Sequence, residues 1–260
     1  MNALMISALF IATFQPWGEG SEWNSLGAAV DTAEEARVGL TQAHTIDLNS
    51  LQPYDVLVVV EPQAPLPQAS LTDFVRSGGA MVIFGEARFT EEFLGHYGID
   101  MVQAPVDHRA FFRGHPEFPR FQPGEDEALF FNLNDGSSQL IANHPRAMSF
   151  TEQERVQCLV PYTGVAGLCF IASLRSGRGQ IIAISDASLP IAEMQSLHGN
   201  KQFLANVLRR YCVAEPCQAK WAGPATVWSG EFVDSNWNRR WTKLRELLIA
   251  HVNNRESMMW

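Results

Sequence analysis

Two continuous apolar runs, each closed by a carboxylate, constrain this chain most. They are Tyr54-Asp55-Val56-Leu57-Val58-Val59-Val60-Glu61-Pro62 and Gly78-Gly79-Ala80-Met81-Val82-Ile83-Phe84-Gly85-Glu86. Neither alternates apolar with polar residues, so each reads as a strand buried on both faces. Between them, Leu71, Phe74 and Val75 fall on one face of a helix that starts at Gln68. Gly78-Gly79 ends that helix, as glycine does at a helix C-terminus. Strand, helix and strand make a parallel βαβ unit. A third run, Gln180-Ile181-Ile182-Ala183-Ile184-Ser185-Asp186, follows the turn Ser176-Gly177-Arg178-Gly179 and again closes on a carboxylate. Open parallel sheets bind ligands at the carboxyl ends of their strands. Those ends carry Glu61, Glu86 and Asp186.

Weaker signals fill in the rest. The spacing predicts helices over 26–41, 90–97 and 201–211, and strands over 44–48, 159–162 and 168–174. The proline-punctuated stretch 101–150 reads as an irregular insertion of short strands and loops. The expected architecture is one α/β domain over 1–212, with a mostly parallel, doubly wound sheet. Residues 213–260 form a Trp-rich extension, in which 236–252 has the pattern of an amphipathic helix with Trp237 and Trp241 near one face.

Composition narrows the partners. Net charge is -9 over 260 residues, and no run of Lys or Arg is longer than a pair, as at Arg239-Arg240. Nucleic acid and anionic membranes are therefore poor partners for most of the surface. Leu4–Phe14 is too short to span a bilayer, which takes about 20 residues. It fits either the core of a secretory signal, which places the chain in the periplasm or cell envelope, or the first strand of a cytoplasmic domain. Cys158, Cys169, Cys212 and Cys217 form two local pairs. They suit two disulfides in an exported protein, or four reduced thiols in a cytosolic one.

Candidate chemistry lies at the three strand ends. Glu61, Glu86 and Asp186, with Ser188 and Asn200 beyond them, are the ligand-binding candidates. Converging carboxylates bind cations, hydrogen-bond sugars or supply a general acid. The structural alternative is that each acid caps the loop or helix after it. Ser185, Ser188, His198 and Asp186 hold the composition of a hydrolytic triad, but the Gly-x-Ser-x-Gly elbow is missing. His108, His115 and His144 match no metal-ligand spacing. No cofactor or metal is implied. Trp237, Arg240 and Trp241 are partner-binding candidates, because exposed Trp and Arg dominate interfaces; the alternative is a helix docked on its own domain.

The three runs, in this order, resemble a known family. Tyr54 to Val60, the proline loop ending Pro65-Leu66, and Phe74-Val75-x-x-Gly78-Gly79-x-Met81-Val82-Ile83-Phe84-Gly85 look like a GIFT-type domain, shared by gliding-motility and intraflagellar-transport proteins. Gly177-x-Gly179-Gln180 to Ser188 and Asn200-x-x-Phe203-x-x-Asn206-x-Leu208 are similar to its closing strand and helix. The resemblance covers roughly residues 45–100 and 140–212. It implies a flavodoxin-like α/β fold, kinship with class I glutamine amidotransferases and, for many members, no catalysis. Glu86 stands where the amidotransferase cysteine would be expected, so thiol acyl transfer lacks its nucleophile. The expectation is a non-catalytic domain that binds a ligand or protein, in a cell-envelope assembly. The alternatives are a hydrolase or carbohydrate-active enzyme using the rim carboxylates, and a scaffold docking a partner through the Trp-rich tail.

Overall fold

A computed structural model describes residues 6–8, 26–40, 42–48, 51, 56–62, 64–123, 139–151, 154–197, 199–211 and 221–229. The chain begins with strand β1 (Ile6–Ala8), helix α1 (Gly27–Glu35), β2 (Val38–Leu40) and β3 (Gln42–Asp47). The βαβ unit follows as β4 (Val56–Val60), α2 (Gln68–Ser77) and β5 (Ala80–Phe84). Next come α3 (Arg88–Gly95), β6 (Ile99–Val102), a 3-10 turn (His108–Ala110), β7 (Phe111–Phe112), β8 (His115–Phe121) and β9 (Leu140–Ile141). β10 (Ala147–Phe150), β11 (Val156–Pro161), β12 (Cys169–Ser176) and β13 (Gly179–Ile184) complete the main sheet. The last elements are α4 (Ala192–Gln195), α5 (Asn200–Tyr211) and β14 (Trp221–Ser229).

The three apolar runs lie side by side and point the same way. β4 pairs with β5 and β5 with β13, both parallel, so Val60, Phe84 and Ile184 share one row. Every residue of β4 and β5 is buried, as unbroken apolar runs require. Leu71, Phe74 and Val75 are the buried residues of α2, and Gly78 caps it at φ 123. That value is open to glycine and strained for any residue with a Cβ.

The sheet is mixed rather than mostly parallel. Its seven strands run β4-β5-β13-β12-β10-β6, with β11 beside β12, and every pairing from β13 onward through β12 and β10 to β6 is antiparallel. For β12 and β13 the physical reason is the turn at Gly177-Arg178. Ser176 pairs with Gly179, leaving two residues to reverse the chain, and a loop that short allows only a hairpin.

Three boundaries also differ from expectation. The first helix stops at Glu35 instead of running to Thr41, because Arg37 adopts φ 60 and Val38–Leu40 leave to pair with β1. The stretch 101–150 is not wholly an insertion, since β6 and β10 at its ends pair with each other in the main sheet. Between them, β7, β8 and β9 form a small sheet of their own. Phe121 of β8 stacks on Phe170 of β12 with centroids 4.0 Å apart, which fastens the small sheet to the large one. The described part of the extension is a strand, with β14 parallel to β3; residues 236–252 lie outside the described residues. No helix among the described residues is long and apolar enough to cross a membrane.

Cys158 and Cys169 are joined by a disulfide between β11 and β12. Cys212 and Cys217 lie outside the described residues. A loop closed over a sequence separation of 11 constrains the unfolded chain enough to stabilise the fold by about 2–3 kcal/mol. Cys158→Ser should therefore lower the urea midpoint, and dithiothreitol should lower the wild type by the same amount. A wild-type midpoint indifferent to the reductant would show that the bridge contributes nothing.

Candidate functional site

The parallel register carries each run's closing acid to the same end of the sheet. Glu61 follows β4 with its backbone N–H donating to the Phe84 carbonyl at 2.7 Å, extending the ladder by one residue. Its φ is then 41, a left-handed conformation that strains a residue with a side chain. The side chain shows what offsets that strain. Oε2 accepts from the Glu86 N–H at 2.8 Å and Oε1 from the Ala87 N–H at 3.0 Å. One carboxylate thus holds two consecutive amides of the turn into α3.

Gly85 makes this approach geometrically possible. A Cβ there would collide with Thr90 Oγ1 and lie 3.1 Å from Glu61 Oε2. Thr90 is fully buried, and its hydroxyl has no hydrogen-bond partner among the described residues.

Asp186, fully buried just beyond β13, fastens a second turn. Oδ1 accepts from the Ser188 N–H at 2.7 Å and from its hydroxyl at 2.6 Å, while Oδ2 accepts from the Asn143 N–H at 2.8 Å. The Leu189 amide also donates to this carboxylate.

Glu86 differs from both. It is half-buried, and one carboxyl oxygen is enclosed without a hydrogen-bond partner among the described residues. Burial first, then the Asp186 and Glu61 charges, push its pKa up to about 8, against the pull of Arg146. Burial raises Glu61 as well, opposed by its two backbone hydrogen bonds. Burial brings Asp186 up to about 6, opposed by the donors around it. The three acids therefore share one rim closely enough to feel one another's charge.

Sequence reasoning missed Arg146. Nη1 donates to the Glu86 carbonyl at 3.0 Å and to Glu91 Oε2 at 2.8 Å, and Nη2 donates to the Met101 carbonyl. Its backbone N–H donates to the Ser185 carbonyl at 3.2 Å. It ties α3, β6 and the β13 end to the rim, yet in sequence it is one arginine after His144-Pro145, with no periodic signal.

Asn200 stands differently from the other candidates. Fully buried at the start of α5, it accepts from the Ile141 N–H and donates to the Ile141 and Met194 carbonyls, all within 2.9 Å. Its amide is fully engaged as a clamp between β9, α4 and α5. His108, His115 and His144 have no shared site: His108 faces Asp107, His115 lies edge-on to Phe118, and His144 bonds the Glu117 carbonyl through its backbone. Among the described residues, no group of three metal-ligating side chains is placed to hold an ion. His198, Trp237, Arg240 and Trp241 lie outside the described residues.

No protein-family model matches the chain, and no curated protein matches it by sequence. Solved structures do match in fold. The mmIFT52 N-terminal domain superposes with TM-score 0.58 at 14% identity, covering 80% of this chain and 98% of that one. The cytoplasmic protein STM1381 from Salmonella typhimurium LT2 gives 0.55 at 14% identity, covering 79% and 99%. The cytoplasmic protein STM3548 from Salmonella typhimurium gives 0.51 at 14% identity, covering 78% and 98%. The chain carries the fold these domains share and spans it nearly end to end.

Proposed function

We propose that the chain is a non-catalytic relative of the amidotransferases that binds a small-molecule or protein ligand at the strand-end rim of Glu61, Glu86, Asp186 and Ser188. One observation carries this reading. Acyl transfer needs a nucleophile on the turn after the strand and free N–H groups aimed at the developing oxyanion. Here the turn carries Glu86, and the amides of Glu86 and Ala87 are already held by the Glu61 carboxylate. Neither requirement is met, since the turn residue is a carboxylic acid and the two amides are engaged.

The chain is therefore expected to hydrolyse neither glutamine nor p-nitrophenyl acetate above the buffer rate. Turnover that disappears in Glu86→Ala or Asp186→Ala overturns the reading. Binding is tested by a thermal-shift panel of sugars and amino acids, in which any stabilising compound should lose its effect in Glu86→Ala.

A carbohydrate-active enzyme is the second reading, favoured by the raised pKa of Glu86, since a carboxyl protonated near neutral pH suits a general acid. Against it, a glycosidase needs a second, accessible carboxylate. Glu61 is buried with both oxygens engaged, and Asp186 is fully enclosed. Hydrolysis of p-nitrophenyl glycosides, lost in Glu86→Gln, would decide for the enzyme. The Cys158–Cys169 disulfide supports placing the chain in an oxidising compartment such as the cell envelope.

A further inference from the structure

The end of the sheet opposite the acidic rim carries the contrary charge. β5 and β13 start there, at Ala80 and Gly179, and reach the rim at Phe84 and Ile184. Five exposed arginines from four segments of the chain meet at this end. They are Arg76 in the last turn of α2, Arg155 just before β11, Arg175 in β12, Arg178 in the turn to β13 and Arg210 in the last turn of α5. Backbone contacts bring them together. The Arg178 N–H donates to the Arg76 carbonyl at 3.1 Å, and the Arg175 N–H donates to the Arg155 carbonyl at 3.4 Å. Arg175 and Arg210 both lie near enough to the Tyr211 hydroxyl for their charges to act on it. Arg209, by contrast, is directed to Asn206 and to the Glu35 carbonyl. Against the five stand two acids in the described parts of these segments, Asp73 and Glu154.

Cations in the last turn of a helix complement its dipole, which accounts for Arg76 and Arg210. It does not account for Arg155, Arg175 and Arg178, which sit on strand ends and a turn. Guanidinium groups gathered without matching acids repel one another, and an anionic partner relieves that repulsion. We propose that this arginine-rich end is a docking surface for a short acidic peptide segment of a partner protein. Docking here is independent of any ligand at the rim. Guanidinium groups pair with carboxylates through two parallel N–H donors. From β11 across β12 and β13 to β5 is three strand spacings, about 15 Å, which an extended segment of about five residues covers. The rest of the chain is acidic, since the whole carries a net charge of -9. A nucleic acid or an anionic membrane reaching past the patch meets that charge, whereas a short segment ends within the patch and is screened from charges more than about 8 Å away.

The test is fluorescence anisotropy of a labelled pentaglutamate peptide titrated with the full chain. Wild type should bind it saturably in dilute buffer, lose at least tenfold in affinity when salt is raised to about 0.3 M, and leave a pentaglutamine peptide unbound. Arg175→Glu combined with Arg178→Glu should weaken binding at least tenfold, while Arg113→Glu, at an exposed arginine of the small sheet, should leave it unchanged. In the unmodified chain the peptide should shift the amide resonances of Gly177, Arg178 and Gly179 and leave those of Gly85, Glu86 and Ala87 in place. That measurement does not depend on a variant folding. No saturable binding, shifts at the rim instead of the turn, or tighter binding to an oligothymidylate or to phosphatidylserine vesicles than to the peptide would each overturn the peptide surface.

Discussion

Asp186→Ala should lose about 2–4 kcal/mol of folding stability at neutral pH, read from urea unfolding. Two effects oppose each other. Burial, net of the donors that oppose it, raises its pKa from 3.8 to about 6, a cost on the order of 3 kcal/mol that the alanine relieves. The alanine also leaves the amides of Asn143, Ser188 and Leu189 without an acceptor. At roughly 1–3 kcal/mol for each buried unpaired donor, the lost hydrogen bonds outweigh the relieved burial. Asp186→Asn separates the two effects. It removes the charge, keeps one acceptor oxygen, and should lose about half as much as the alanine. Equal stability of Asp186→Ala and wild type would mean that the carboxylate does not fasten this turn.

The second large effect is the pH dependence of stability. An acid whose pKa is raised in the folded state binds more protons folded than unfolded, and stability then falls as pH rises between the two values. For Glu86 the window runs from 4.5 to about 8, and for Asp186 from 3.8 to about 6. The contribution is fully present below the lower value and is lost by the upper one. Discounted for the solvent that reaches half-buried Glu86, its share is about 2 kcal/mol. The melting temperature should thus decrease from pH 6 to pH 8.5, where paired surface carboxylates are already fully ionised and give no slope. Glu86→Gln should flatten that decline and be the more stable protein at pH 8.5. A wild-type melting temperature that is level or rising over this range would contradict the raised pKa.

Much of the fold was legible because burial on both faces leaves an unmistakable pattern. Val56–Val60, Ala80–Phe84 and Ile181–Ile184 are buried as their unbroken apolar runs predict. The antiparallel half was harder. β8 contains Pro116 and Pro119, and proline reads as a break, yet it is tolerated on short or peripheral strands. β6 and β10 are four residues each, too short for a period to stand out. The hairpin reversal was present in the two-residue turn at Gly177-Arg178, a local signal outweighed by the parallel look of the strand after it. At the rim, the acids were visible as strand-end residues, and their neighbourhood follows from register. Which acid is fastened and which has an unpaired oxygen depends on turns brought together from distant segments. The same holds for Asn200, whose partner Ile141 lies 59 residues away.

The pairing of β14 with β3 has a consequence for how the chain is made. A strand near the start, Gln42–Asp47, receives this neighbour from Trp221–Ser229 near the end. During synthesis β3 must therefore wait while residues 48–220 emerge, and its backbone stays open to any other extended segment that comes by. A ribosome stalled before Trp221 would leave β3 without this neighbour, as a sticky intermediate.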